Sequence, residues 1–535
     1  MVIPVVVGVT GHRDLREEDL PRLRELAYAE LKSIKDACPD SRPVILDSLA
    51  EGADMLCAEA ALELGYSLVV PLPFALEEYR RDFRGAALER FDALLAQASQ
   101  VFVAPDSEGL GTRDLAPSDF SAMRAAEAAR DYGYRQAGLY VAGHSQVLIA
   151  FWDGSPASEG GCGAAEVAEY MLRGRGALDA RCARLVQIVT PRAGGSLPAG
   201  AFAVKRFEAG PVGSDEALKE MNDLNRAAAL SAAEGIKETY TAADELAGKA
   251  QKGFFNTVLW LAVLCALLVF AFLAYDELES DIFLPVYAAA LIAAWVLLRR
   301  EGKLFFHRDF LRFRALAESL RTQEYLLRCG ISDVNVCDFY TWTQRFELGW
   351  LREAVSALTV SGRAASGSGD FDPAAAAGWA EEQLRYHRRA AKRKRVQNTR
   401  NERLCSALAF VSVALFAAVF AFEYLAPAVM ESSVAAAPLM QRLLLMRVSS
   451  IPLRGLFKIA LGVVSTLTLF LSSYYGRLSL DRQIEDHEKM AVLYERAANA
   501  PVIDRGLCIS LAREELIENG NWLSYMKENK PGIDL

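Results

Sequence analysis

Three stretches of this 535-residue chain combine glycine with small polar or charged side chains: residues 8–13 (GVTGHR), 48–54 (SLAEGAD) and 153–163 (DGSPASEGGCG). Each follows a short apolar run. Backbone N–H groups at the start of a helix, with no Cβ in the way, suit a phosphate. One such loop reads equally well as a tight strand-to-helix turn; three on one sheet edge favour a nucleotide. The strict GxGxxG spacing of a nicotinamide site is absent. His12 reads either as a phosphate contact or as a cap on the following helix, and its neighbour Arg13 favours the contact. Asp54 also reads as an ordinary first-turn acid. Cys162 has no His nearby in sequence to activate a thiolate, so it reads as a small loop filler. His144, just before a strand, reads as structural. The five His are far apart and none of the nine Cys forms a CxxC pair, so neither a metal site nor a disulfide framework is expected, and the compartment is a reducing one.

Strands and helices must position those loops. Apolar runs at residues 3–9, 44–46, 68–72, 100–103, 147–152 and 183–189 read as buried strands. The first of them leaves no room for a secretory signal. Helical patterns cover 20–37, 55–64, 79–84, 85–98, 120–144 and 164–173, with Pro21 in the first turn of the first. The alternation predicts a parallel, Rossmann-like α/β sheet. Such sheets bind ligands at the carboxyl ends of strands, where the three loops lie.

The chain then changes character. Residues 254–274 carry no charge and, at about 1.5 Å per residue, span the ~30 Å core of a bilayer. Further apolar runs at 282–298, 404–425 and 459–475 predict an α-helical membrane region of four transmembrane helices in two hairpins. They account for a hydrophobic content of 52%, high for a soluble protein. Polar helical patterns at 216–252, 305–327, 379–403 and 477–500 flank the hairpins, and a short one covers 342–358. The expected organisation is a nucleotide-sensing domain over 1–205, a connector over 206–235, a first two-helix module over 236–360, a flexible linker over 361–375, and a second module over 376–535.

Charge sets the expected topology. Lys249 and Lys252 precede the first hairpin; Arg299, Arg300 and Lys303 follow it; the linker at 275–281 holds four acids. Basic flanks stay cytoplasmic, so both termini are expected in the cytosol, below an inner membrane. The second outward loop, 426–451, holds an apolar stretch at 439–446, and Lys458 beyond it reads as a snorkelling side chain. The net charge of −9 hides a basic run at 385–403, nine Lys/Arg against one Glu. That run reads as a topology signal and a contact for anionic lipid rather than for nucleic acid. The spans hold Thr257, Ser406, Ser412, Ser465, Thr466 and Thr468 but almost no charge, which argues against proton-coupled transport.

GVTGHRDL, LAEGADMLCAEAALELGYSLVVPLPFALEEYRRDF and VLIAFWDG with GGCGAAEVAEYM together resemble the SLOG family, which is related to LOG nucleotide hydrolases and to the DprA fold. The resemblance covers roughly the first 175 residues. It implies a pocket for a nucleotide-derived signal. Gly8, Thr10, Gly11, His12 and Arg13 would face phosphate, Ser48, Glu51, Gly52 and Asp54 would line the pocket, and Asp153, Gly154, Gly161 and Gly163 would close it. LOG hydrolases carry PGGxGTxxE with a catalytic Glu. Here GGCGAAE at 160–166 lacks the Pro and the Thr, Glu166 falls one residue short, and Val167 stands in the Glu position. One residue turns a helix side chain by about 100°. A sensor with no catalytic residue and no cofactor is therefore expected, with Glu166 and Glu169 the acids left for residual hydrolysis.

The membrane modules resemble the SLATT family, by architecture and by HRDFLRFRALAESLR and LAREELIENGNWL. Together the resemblances imply a prokaryotic antiphage effector. A nucleotide-derived second messenger from a partner synthase would open a pore built from several copies of the chain in the lipid bilayer, aborting infection. The alternative is a membrane-anchored LOG-type nucleotide hydrolase. A transporter is disfavoured because the two hairpins enter from the same side and so are not inverted repeats.

Overall fold

The computed structural model describes residues 3–105, 126–156, 163–174, 183–195, 197–209, 213–226, 233, 235–304, 306–362, 371–432, 438, 441–442, 445–448 and 451–528. Gly161, Cys162 and most of the expected 361–375 linker lie outside the described residues. The chain forms two compact units, both interleaved in sequence. The first takes Met1–Glu245, Phe313–Ala377 and Val502–Trp522; the second takes Leu246–Arg312, Gly378–Pro501 and Leu523–Leu535.

In the first unit seven strands make one sheet: β1 (Val5–Gly11), β2 (Pro43–Leu46), β3 (Ser67–Leu72), β4 (Gln100–Val103), β5 (Val147–Phe151), β6 (Ala183–Ile188) and β7 (Val204–Ala209). Their order is β4-β3-β2-β1-β5-β6-β7, and every pair is parallel except β6 with β7. Every residue of β5, and β1 up to Thr10, is buried, as a parallel sheet covered on both faces requires. The strand order reverses between β1 and β5, where Gly11 lies opposite Phe151. In open α/β sheets a crevice opens at that point. The sequence pattern does not predict β7. Its VKRFEA run is half polar and mostly exposed, as suits an edge strand, and the expected boundary at residue 205 falls inside it.

The helices near this sheet are α1 (Leu20–Ala37), α2 (Ala53–Glu63), α3 (Leu76–Tyr79), α4 (Ala86–Leu95), α5 (Ala126–His144), α6 (Ala164–Arg173) and α7 (Ser214–Asn225). Beyond them run α8 (Ile236–Leu278), α9 (Phe283–Leu304), α10 (Phe306–Arg328), α11 (Trp342–Glu347), α12 (Gly349–Gly362), α13 (Pro373–Phe420), a π turn at Ala421–Leu425, α14 (Ala426–Ser432), α15 (Leu453–Leu478), α16 (Leu480–Ala498) and α17 (Arg505–Glu528).

Helix α12 belongs to the first unit and is buried from Gly349 to Val360. Its backbone closes hydrogen bonds from the sheet: Gln146 Nε2 donates to Glu353 O at 3.1 Å, and Gln100 Nε2 to Ser361 O at 2.8 Å. Burial on all sides is tolerable because its polar residues are paired. Arg352 meets Asp338 at 2.8 Å, Ser356 Oγ accepts from Asn335 at 2.8 Å, and Thr359 donates to Val355 O. The first-unit part of α17 is fastened by Arg505 on Asp333 at 2.5 Å and by Tyr340 Oη on Asn519 at 3.0 Å.

The second unit is helical apart from a short antiparallel pair, Arg447–Val448 with Ile451–Pro452. Among the described residues three helices are long and apolar enough to cross a membrane, Ile236–Leu278, Pro373–Val429 and Leu453–Ala498, and they mark the chain as a membrane-associated protein. The remaining apolar helix of the expected four, Phe283–Arg299, is shorter. Side chains such as Phe410 and Leu469 are about three-quarters exposed, which only an apolar surrounding stabilises. Helix α15 pairs antiparallel with α8: the Phe255 and Tyr474 rings meet, Gly462 makes room for Leu273, and Glu277 reaches Lys458 at 3.0 Å. It also pairs with α13, through Ser412 and Thr468, and with the π turn that continues α13, through Phe422 on Phe457 and Glu423 on Lys458 at 2.9 Å. Lys458 is thus not a lone snorkelling lysine; its ammonium joins two carboxylates from two other helices. Farther along α13, Arg388 pairs with Glu495 and Arg395 with Glu488 on α16, so part of the basic run is neutralised within the unit.

Candidate functional site

The β1–β5 crevice holds a cavity of about 90 Å³. Thr10, Gly11 and Arg13 from the β1 loop line it, with Ser48, Ala50 and Asp54 from the β2–α2 loop, Tyr79 at the end of α3, Tyr134 on α5, and Gly163, Ala164 and Val167 at the start of α6. Cavities that enclose a whole small ligand run to about 300–1,000 Å³. This one takes a group the size of a phosphate and leaves the rest of a ligand outside these walls.

Glycine does several different jobs here. A Cβ on Gly8 would lie 2.4 Å from Ser145 Oγ, so Gly8 lets α5 close on β1 and does not face the cavity. A Cβ on Gly11 would meet Ala53 Cβ at 2.4 Å, which brings the N-terminus of α2 against the strand end. Gly52 has φ +94°, and a Cβ there would sit 2.5 Å from Arg13 O. Gly163 caps α6 with open space above it. Gly154 turns the β5 loop at φ +90°, and Glu51 points to solvent off the cavity.

His12 does not face the cavity. Its Nε2 accepts the Asp153 backbone N–H at 3.1 Å, and its backbone N–H donates to Phe151 O at 3.0 Å. Burial lowers its pKa, against the raising charge of Asp153, so the ring is neutral with its proton on Nδ1. It works as a strap between the β1 and β5 loops. Asp153 in turn feels burial, but the Ser155 N–H, His12 and Arg192 outweigh it and hold the carboxyl below its ordinary range. Arg13 is exposed at the mouth, its guanidinium 4.6 Å from the centre of the Tyr134 ring.

Beneath Arg13 lie two buried acids. Asp47, at the end of β2, is fully buried: its Oδ1 accepts from Leu49 N at 2.7 Å, and its Oδ2 has no hydrogen-bond partner among the described residues. Burial pushes it up to about 7 against that one hydrogen bond. Asp54 is 7% exposed. Burial and then the charge of Asp47 raise it, with Arg13 opposing. Sequence reading passed over Asp47, Tyr79 and Tyr134. The position of Asp47 directly after a strand that neighbours the glycine loop is the signal that marks it.

Helix α6 turns Val167 to the cavity, while Glu166 pairs with Arg135 at 2.7 Å and Glu169 with Arg173 at 2.7 Å, both off the cavity wall. Among the described residues no group of three or more His, Cys, Asp or Glu side chains could hold a metal ion. No family model matches the chain, and no curated protein matches it.

Proposed function

We propose that this chain is a ligand-gated membrane effector. An anionic, nucleotide-derived signal binds at the β1–β5 crevice, and the membrane helices of several copies respond by forming a pore. The observation that carries the reading is Val167: the helix that would present a catalytic acid in a LOG hydrolase presents Ala164 and Val167 to the cavity. The site therefore offers a cation and glycine loops for binding, on a chain whose described residues include three helices long and apolar enough to cross a membrane. A ligand moves such an equilibrium only through different affinities for its two states. In this reading α9 is the fourth span, both termini are cytosolic at an inner membrane, and the domain is of SLOG type with SLATT-like modules. The signal comes from a partner synthase in an abortive-infection defence.

One observation favours the hydrolase instead. Asp54 lines the cavity, and burial with the charge of Asp47 raises its pKa well above the ordinary carboxylate range, the direction a general acid needs.

The test uses the full chain in dye-loaded liposomes with cyclic di- and trinucleotides, ADP-ribose, NAD and AMP. Expected is dye release by one ligand that is recovered unchanged, and its loss in Arg13→Ala. Release of base or ribose phosphate would make the chain a hydrolase. Failure of every ligand to bind would remove the sensor.

A further inference from the structure

Two of the five His, 100 residues apart in sequence, meet between the polar half of α13 and α16. His387 Nδ1 lies 3.0 Å from His487 Nδ1, with the ring centres 5.2 Å apart. His387 is 2% exposed and its ring stacks on Tyr494; the His487 ring stands perpendicular to Tyr386. The pair belongs to the second unit and lies about 26 Å of helix before the apolar run that begins at residue 404. Most charged groups of the surrounding turns are matched to one another. Arg388 of α13 pairs with Glu495 of α16 at 2.8 Å, Arg395 with Glu488, and Lys489 with Glu485 along α16, while Lys394 donates to Gln483. Asp486 is the acid beside His487 in sequence, and it acts on Lys489. Helix α17 reaches α16 through Tyr525, on Ser479 and Arg482.

A neutral imidazole carries one N–H and one bare nitrogen. At 3.0 Å one ring donates its Nδ1–H and the other accepts on Nδ1, so the bond needs one ring bare at that atom. Protonating both rings puts an N–H on each Nδ1. The acceptor is then gone, and two positive charges face each other between aromatic walls. We propose that the His387–His487 pair is an acid-released latch, which fastens α13 to α16 while a proton is shared and lets go when both rings are charged. Helix α13 runs on without a break into its apolar run, so the latch sets how firmly that run is held at its polar end. The inference is independent of any ligand at the β1–β5 crevice. Its sign follows from proton counts. Separated, the two rings take up two protons as pH falls through the ordinary imidazole value of about 6.5; fastened, they take up at most one. Below that value acid favours the open form, by up to about tenfold per pH unit.

The experiment is hydrogen–deuterium exchange of the full chain in detergent at pH 7.5, 6.5 and 5.5, corrected for the intrinsic rate at each pH. The expected result is a protection of residues 379–403 and 480–498 that drops about tenfold between pH 6.5 and 5.5, while β1 and β5 keep theirs. In His487→Asn the side-chain amide offers an oxygen to His387 Nδ1–H and does not titrate, so protection at pH 7.5 is kept and the drop in acid is lost. Wild-type protection that does not change with pH overturns the proposal. So does a drop in acid that persists in His487→Asn or is shared by β1 and β5. If His487→Asn has lost protection already at pH 7.5, His487→Gln takes its place; the same loss in both shows that ring packing and not the shared proton fastens the helices, and overturns the latch as well.

Discussion

Asp47 makes stability depend on pH. Its carboxyl is pushed up to about 7 by burial, well above the ordinary carboxylate value it recovers on unfolding. Between those values the native state holds a proton that the unfolded chain has released, so its contribution to stability is lost as pH rises through about 7. The melting temperature of the wild-type chain should therefore fall from pH 6 to pH 8, and Asp47→Asn should flatten that slope. Gly52 is the second exposed point. Gly52→Ala places a Cβ 2.5 Å from Arg13 O at φ +94°. The strain should cost about 1–3 kcal/mol and displace Arg13, read as a lower melting temperature with weaker ligand binding. An unchanged melt would mean the loop relaxes freely. The loops that carry Thr10, Gly11, Arg13, Ser48, Asp54 and Gly163 are legible in the sequence because glycine beside small polar residues after an apolar run is a local signal. What each glycine does is not local. Gly8 and Gly52 are set by Ser145 and Arg13, far away in sequence or on another strand end, and the neutral role of His12 depends on a backbone N–H of residue 153.

At the scale of elements, Lys458 ties α15 to α8 through Glu277 and to the π turn after α13 through Glu423. Each pair is partly exposed, so neither alone contributes more than about 1 kcal/mol. Removing the lysine is different, because two carboxylates then face each other without a cation. Lys458→Met should lower thermal stability in detergent more than the triple change Lys458→Met, Glu277→Gln, Glu423→Gln. The opposite ranking would show that the charges are independent. The sequence predicts the strands and helices of the sheet region closely, since buried parallel strands and amphipathic helices have distinct periods. It divides α13 into a basic helix and an apolar one, although no Gly or Pro interrupts residues 379–420 and the helix runs through. The same periodicity argument cannot see that α12 is buried on every side, because the side chains that pair with Arg352 and Ser356 come from residues 335–338.

On the scale of the whole molecule, the first unit is assembled from three separated stretches. A fragment ending at residue 205 would cut β7 and lack α7, α12 and the first-unit part of α17. Such a fragment should be insoluble or quickly digested by trypsin, while the full chain in detergent keeps its sheet region resistant. A stable, ligand-binding 1–205 fragment would show that the later segments only decorate the sheet. The expected domain boundaries follow composition, which changes at the first apolar helix. Composition cannot reveal that the chain returns to the sheet unit at Phe313 and again at Val502.

That interleaving also sets a clock during synthesis. Roughly 280 residues separate Glu245 from Trp522, and the three long apolar helices among the described residues have all been translated before Trp522 is added. At ~5–20 residues per second, the nascent sheet waits about 15–55 s for its final helix. Until Gly362 is made the unit lacks α12, and to the end of that interval it lacks the segment whose Arg505 and Asn519 fasten to Asp333 and Tyr340. The unit that would read the signal is therefore complete only after the spans have been translated, so a half-made chain cannot answer a signal it has no finished machinery to obey.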